Sequence, residues 1–303
     1  MRNEFALIDA ITRGLGDRAA GDWVALGPGD DAAVISTTPN FAQIASIDTL
    51  LPDVHFPAEA PPDLIGYRAL MVSFSDLAAM RGVPRYCLVS LSIDKPQLAL
   101  GADWVVLLAR GMADAARELG VYVCGGNLTR GPLNIAVSVH GEVAPEQILR
   151  RSGGLPGQRL AVTGALGAAA ACVRRGQMVP ADSGALTPLQ RAYYRPHARF
   201  DALAMIMSAT AGLDISDGLS QDLGHLCTAS GCGASLQSSS IPIAEGATLE
   251  DALFGGDDYE LLIASDEPLP GTYPIGVLTA ESGLTLDSAP LAPKGFDHFG
   301  KER

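Results

Sequence analysis

Apolar positions fall at helical spacing over residues 4 to 15, where Phe5, Ile8, Ile11 and Leu15 share one stripe. Two short strands are predicted next, Ala32 to Ser36 and Ala42 to Ile47, separated by the Thr38-Pro39-Asn40 turn. Pro61 and Pro62 suit the first turn of a helix running toward Met80, and Tyr86 to Ile93 alternates like a strand. A further helix over Ala102 to Leu119 is closed by Gly120, and Val121 to Cys124 and Asn134 to Val143 read as strands.

Between Pro145 and Gly157 the pattern lapses into Arg, Ser, Gly and Pro, with Arg150-Arg151-Ser152-Gly153-Gly154 ahead of Pro156, the composition of a connector. A domain boundary is placed there, giving residues 1–145 and 146–303. The second half opens with a strand over 158–163, the Gly164-Ala165-Leu166-Gly167 turn and a helix. Helices near 187–208 and 217–230 follow, with strands near 233–237, 259–264, 274–278 and 284–286. Strands interleaved with helices in both halves predict an α/β chain of two domains. No internal repeat is strong enough to claim.

With 303 residues and 48% hydrophobic content the chain can bury two cores, which excludes the disordered class. A net charge of −13 with only three lysines, Lys95, Lys294 and Lys301, argues against nucleic acid as a partner. An acidic protein can still hold a polyphosphate when cations lie between the two anions. The five cysteines are odd in number, sit mostly in apolar segments and form no CxxC pair, as in a reducing compartment. The start has no apolar signal core, and the weakly polar stretch from Leu160 to Val173 is too short and glycine-broken to span a bilayer. The expectation is a soluble, cytoplasmic protein with no membrane partner.

Chemistry concentrates in short acidic loops beside apolar runs: Gly29-Asp30-Asp31, Ser46-Ile47-Asp48-Thr49, Ser75-Asp76, Asp214-Ile215-Ser216-Asp217-Gly218 and Gly255-Gly256-Asp257-Asp258. Carboxylates gathered from distant segments repel one another unless a divalent cation neutralises them. That reasoning points to magnesium and, through it, to phosphate chemistry. Each loop also has a plainer reading. Asp30-Asp31 fits an ordinary turn after Gly27-Pro28-Gly29. Ser216 or Asp217 could simply cap a helix, although a second acid beside the cap leans toward a metal. Asp257-Asp258 could lie in a surface turn, or at a strand mouth where two glycines let backbone approach a ligand. Asp76 stands apart, because Phe74, Leu77, Ala78 and Met80 surround it and a carboxylate there needs a partner.

Several familiar devices are missing. No Walker A loop occurs, since the sole Gly-Lys, Gly300-Lys301, precedes Glu302; kinase HRD and DFG loops are absent too. Gly14-Leu15-Gly16 follows a helix and lacks the third glycine of a dinucleotide fingerprint. No HExxH or Cys/His cluster supports zinc catalysis. Among the histidines only His55 reads as a substrate contact; His140, His197, His225 and His298 read as structural.

In their order the motifs resemble the thiamine-monophosphate kinases of the aminoimidazole-ribonucleotide-synthetase-like (PurM-like) superfamily. The resemblance runs through Glu4 to Ile8, Gly27 to Ala32, Asp48 to Leu50, Val54 to Phe56, Ser75 to Met80, Gly125-Gly126, Thr129 to Leu133, Arg151 to Gly153 and Arg195-Pro196. It continues through Asp214 to Leu219, Gly255 to Leu261 and Gly295 to Phe299. It implies an N-terminal α/β domain with mixed sheets that makes a homodimer through its sheet, a C-terminal α/β domain, and ATP held in a cleft through several Mg2+ ions. Carried onto matching positions, Asp31, Ser46, Asp48, Asp76, Asp214 and Asp217 would bind magnesium. Gly126, Arg151 and Ser216 would contact ATP, and His55, Asp257 and Phe296 would face thiamine monophosphate.

Two departures fall in one part of that site. The family's Gly-Gly-Asp-Thr-Thr reads Gly125-Gly126-Asn127-Leu128-Thr129 here, and its Ser-Thr-Asp reads Ser46-Ile47-Asp48. Asn127 keeps a carbonyl oxygen for metal or ATP without the charge, while Ile47 removes a hydroxyl. One magnesium site is therefore expected to be weakened or completed differently, with the chemistry retained. Asp257 also replaces the family's usual Glu and shortens a substrate contact.

The implied reaction passes the γ-phosphoryl group of ATP to the phosphate of thiamine monophosphate, giving thiamine diphosphate. With a second pKa near about 6 that phosphate is largely dianionic at neutral pH, so no protein base or covalent residue is expected. The alternatives are a sister ATP-dependent synthetase of the same fold and a non-catalytic nucleotide-binding homologue. The first 86 residues hold no cysteine for a selenide reaction, and the tail lacks a terminal cysteine; Asn127 and Ile47 speak for the second.

Overall fold

In the computed structural model, which describes residues 4–28, 32–99, 102–180 and 183–298, the chain divides into two units. The first comprises Met1–Leu77, Gly82–Pro145 and Met178–Leu186, and the second Ala78–Arg81, Glu146–Gln177 and Thr187–Arg303.

The first unit is built from α1 (Glu4–Leu15), β1 (Val24–Leu26), β2 (Val34–Ile35), β3 (Ala42–Leu50), α2 (Pro62–Ala79), β4 (Val83–Ile93), α3 (Lys95–Ala99), α4 (Ala102–Leu119), β5 (Tyr122–Arg130) and β6 (Asn134–Val143). Its main sheet has the order β3-β6-β4-β5, antiparallel except for the parallel β4–β5 pair. Helix α4 ends where the sequence placed its stop: Gly120 takes φ 68°, a left-handed conformation that glycine adopts without steric cost. Helices α2 and α4 touch backbone to backbone. A Cβ on Gly111 would lie 1.8 Å from Asp63 O, and one on Gly66 2.1 Å from Leu108 O. Along β6, Ile135, Val137 and Val139 are fully buried while Ala136, Ser138 and His140 are half-exposed, so one face of the sheet is covered and the other open. Helix α2 lies on the covered face, with Leu77 against Gly141 of β6.

The second unit carries β7 (Arg159–Val162), α5 (Ala168–Arg174), α6 (Pro188–Tyr194), β8 (Ala211–Asp214), α7 (Leu219–Ser230), β9 (Gly233–Leu236), α8 (Leu249–Phe254), β10 (Leu261–Ser265), β11 (Tyr273–Thr279), β12 (Gly283–Leu286) and β13 (Ala289–Leu291). Its seven-stranded sheet runs β13-β12-β9-β11-β7-β10-β8, with β12 and β9 the parallel pair. Leu213, Leu219, Leu223, Leu226, Leu262 and Ile275 lie in the core that joins this sheet to α7.

The described elements differ from the sequence reading in several places. The helix expected near 187–208 stops at Tyr194, because Pro196 ends it, and a short 3-10 turn follows at Phe200–Ala202. Asp214 closes the strand β8 rather than opening a helix, and the helix begins at Leu219. Strand β2 is two residues long where five were expected, and α3, α8, β1, β8 and β13 are additions. Among the described residues no helix is long and apolar enough to cross a membrane.

Candidate active site

Within the first unit the alternation of β3 does the initial positioning. Ser46 and Asp48 lie on the covered face, and Ile47 between them is 66% exposed on the other. Helix α2 brings Asp76 to the same place, where Ser46 Oγ donates a 2.5 Å hydrogen bond to Asp76 Oδ2. Burial, and then the charge of Asp76, push the Asp48 carboxyl up to about 6, while a hydrogen bond from Ser73 acts in the opposite sense. Two carboxylates and a hydroxyl on one face form an all-oxygen donor set, so the residues present fit a hard divalent cation.

Asn127 stands elsewhere in the same unit. The register sets Asn127 level with Ser90, Ala136 and Thr49, and Gly126 level with Val89, Val137 and Asp48. Asn127 therefore belongs to the open face, on the edge strand opposite β3, and does not join Ser46, Asp48 and Asp76. A side chain at Gly126 would meet Val89 O at 1.8 Å, so only glycine allows β5 this close to β4. His55 lies in the loop after β3, with Nδ1 accepting the Leu51 amide at 3.0 Å. Arg68, 1% exposed, donates from Nε to the His55 carbonyl at 3.1 Å. Asp31 falls outside the described residues.

In the second unit the acidic loop runs from the end of β8 into α7. Asp214 is buried, Ser216 and Asp217 are half-buried, and Asp222 is 3% exposed. Asp222 Oδ2 accepts the amides of Asp217 at 3.0 Å and Gly218 at 3.1 Å, reaching back to hold the loop. Burial, then Asp217 and Asp214, push its carboxyl up to about 7. Ligand atoms of Asp217, Asp222 and His225 lie within 4.8 Å of one another. Asp217 Oδ2 accepts from Gln221 Nε2 at 3.0 Å, and its carbonyl accepts the Phe296 amide at 2.9 Å. The ring of Phe296, 43% exposed, meets His298 edge-on with centroids 4.6 Å apart.

The Gly255-Gly256-Asp257-Asp258 segment lies along this loop. Amides of Asp257 and Tyr259 donate to the carbonyls of Ser216 and Ile215 at 2.9 and 2.8 Å. Asp258 Oδ1 accepts the Gly167 amide at 2.7 Å, while its buried Oδ2 has no hydrogen-bond partner among the described residues. Arg151 is exposed, in the connector whose Arg151 carbonyl accepts from Ser230 Oγ at 3.0 Å. Sequence reasoning missed Asp222, Tyr259 and Arg68. Asp222 had a visible signal, as the third acid of Asp214-Ile215-Ser216-Asp217-Gly218-Leu219-Ser220-Gln221-Asp222 on the same helix start.

Residues 29–143 match the family model described as AIR synthase related protein, N-terminal domain, which sets the class: an AIR-synthase-related chain with acidic loops in each unit. The thiamine-monophosphate kinase of Escherichia coli (strain K12) is 32% identical over 304 residues, covering 91% of this chain and 92% of the relative. The chain belongs to the thiamine-monophosphate kinase family. Among solved structures, the thiamine-monophosphate kinase of Stenotrophomonas maltophilia K279a superposes with a TM-score of 0.82 at 32% identity, covering 95% of this chain and 98% of that one. AaThiL complexed with AMPPCP and TMP superposes at 0.79 with 29% identity, covering 99% of each chain.

Proposed function

We propose that this chain phosphorylates thiamine monophosphate with ATP to give thiamine diphosphate, the last step in making that coenzyme. Membership of the family and the likeness to a relative solved with AMPPCP and TMP support the substrates. The observation that carries the chemistry is the meeting of Ser46, Asp48 and Asp76 on one face, an all-oxygen donor set.

Magnesium would be held by Asp31, Ser46, Asp48 and Asp76, and by Asp214 and Asp217; Asn127, on the other face of the sheet, would hold a separate ion through its carbonyl. When bound it would neutralise phosphate oxygens as the two anions approach. Gly126, Asn127, Arg151 and Ser216 would contact ATP; His55, Asp257 and Phe296 would contact thiamine monophosphate. Phe296 offers an exposed ring to a flat heterocycle.

The chain need not supply a base. The acceptor phosphate is largely dianionic at neutral pH, its oxygen forms the new bond to the γ-phosphorus, and the bond from that phosphorus to the β–γ bridging oxygen breaks, leaving ADP. The protein aligns the two phosphates and excludes water. Direct transfer leaves no phosphoenzyme. We further propose a cytoplasmic homodimer, with residues 1–145 as the ATP- and metal-binding and dimerisation domain and 146–303 as the second domain.

Purified protein given ATP, magnesium and thiamine monophosphate is expected to yield thiamine diphosphate by mass spectrometry. Binding of both substrates without turnover would overturn the reading, and so would a covalently labelled protein from γ-labelled ATP for the direct step.

A further inference from the structure

Asp257 and Tyr259 are two non-glycine residues at positive φ, 69° and 54°, within three positions of chain. Such conformations persist in a native state only where the surroundings over-determine them, and they gather where a side chain must be aimed. Here the constraints are visible. The amides of both residues are bound to the Ile215–Ser216 backbone. Gly256 is pressed so close that a Cβ would lie 2.3 Å from Ser216 O. Asp258, between them, is pinned through Oδ1 to the Gly167 amide. The turn therefore sends successive side chains along different directions from a fixed backbone.

Tyr259 addresses the Asp257 carboxylate from this turn. The Tyr259 hydroxyl donates to Asp257 Oδ1 at 2.8 Å, and the Tyr259 ring is anchored by burial, at 9% exposure. A hydrogen bond to one oxygen sets the plane of the carboxylate. We infer that Tyr259 is a positioning residue for substrate recognition: it holds the Asp257 carboxylate in one orientation, as an acceptor for the amino group on the pyrimidine ring of thiamine monophosphate. An aspartate lacks the extra methylene by which a glutamate could adjust its reach, so its orientation must be set from outside.

This inference rests on the reading that Asp257 meets thiamine monophosphate, and one set of measurements separates the two. Isothermal titration with thiamine monophosphate and with ATP, together with steady-state kinetics, is run on the wild-type chain, Tyr259→Phe, Asp257→Asn and the double variant. Tyr259→Phe keeps the ring and the backbone strain and removes one oxygen. Its affinity for thiamine monophosphate is expected to fall about tenfold, with ATP affinity and kcat retained. In the double variant the loss should equal that of Asp257→Asn alone, because the hydroxyl acts through that carboxylate. Equal losses for both substrates, additive losses in the double variant, unchanged affinity, or failure of Tyr259→Phe to fold would each overturn the assignment. A wild-type chain that does not bind thiamine monophosphate would overturn the functional reading and this inference with it. Wild-type binding with an inert Tyr259→Phe overturns this inference alone.

Discussion

Ser46 Oγ and Asp76 Oδ2 are joined by a 2.5 Å hydrogen bond that ties β3 to α2 on the covered face of the sheet. The bond orients Asp76 but adds no positive charge, so the repulsion between Asp76 and Asp48 stands. Asp76→Asn keeps an acceptor for Ser46 and removes that repulsion. Turnover is expected to fall by about 10²-fold or more, as for loss of a group that stabilises transferring phosphate. The metal-free variant should melt at or above the wild-type temperature, the pattern of a residue kept for function at a cost in stability. Scanning calorimetry and a coupled assay check the pair, and a variant both less stable and fully active would refute it.

Asp48 supplies the pH dependence. Burial and the charge of Asp76 raise its carboxyl from the ordinary aspartate value of 3.8 to about 6 in the folded chain, so between those values the native state binds more protons than the unfolded one. Stability contributed by this group is therefore lost as pH rises from about 4 through about 6. Added magnesium should reverse that loss, because a cation replaces the proton. Below pH 6 proton and metal compete, and apparent magnesium affinity should fall about tenfold per pH unit. Magnesium titrations from pH 5 to 8 would show the slope, and Asp48→Asn should flatten it.

The legible parts of the chain were those in which one local rule decides the outcome. Helix α4 and its stop at Gly120 follow from apolar spacing and a left-handed glycine. Ser46 and Asp48 share a face because a strand alternates, and Asp76 betrayed itself as a charge among apolar neighbours. Strand β8 was opaque: Ala211 to Asp214 is buried at every position, so it has no alternation to read. Apolar spacing alone carries the helix to residue 208, whereas Pro196 stops it at Tyr194. Asp222 could not be assigned, since its role is to reach back to amides five and four residues earlier, which only the folded turn reveals. The separation of Asn127 from Asp48 depends on strand order, which no local pattern encodes.

Gly126 tests the phosphate side of the first unit. A methyl group there would meet the Val89 carbonyl at 1.8 Å, and the backbone at φ 154° leaves the strand pair no room to yield. Gly126→Ala is expected to cost about 1–3 kcal/mol of stability, as overpacking commonly does. It should also weaken ATP more than thiamine monophosphate. Equilibrium denaturation with parallel titrations of the two substrates measures both, and equal losses for the two would remove Gly126 from the nucleotide contacts.

Asn127 should behave as a ligand short of one charge. Asn127→Asp adds a carboxylate at an exposed position of β5 without altering shape, so the fold should be unchanged. Magnesium affinity in the presence of ATP is expected to rise about tenfold, following ligand charge. If calorimetric isotherms of the variant and the wild-type chain coincide, Asn127 is not a metal ligand here.

Ile47 carries the proposal of a dimer. Its side chain is 66% exposed, on the face of β3 opposite Ser46 and Asp48, and level with Ser138 and Leu88 on neighbouring strands. Burial of that row against a second copy would explain an isoleucine where the family usually has threonine, because apolar area is then removed from water on both sides. Ile47→Glu places one charge per protomer at the same interface without disturbing the covered face. Sedimentation equilibrium should give a dimeric mass for the wild-type chain and a monomeric one for the variant, with unchanged circular dichroism. A monomeric wild-type chain, or a variant that remains dimeric, would put the contact elsewhere or remove it.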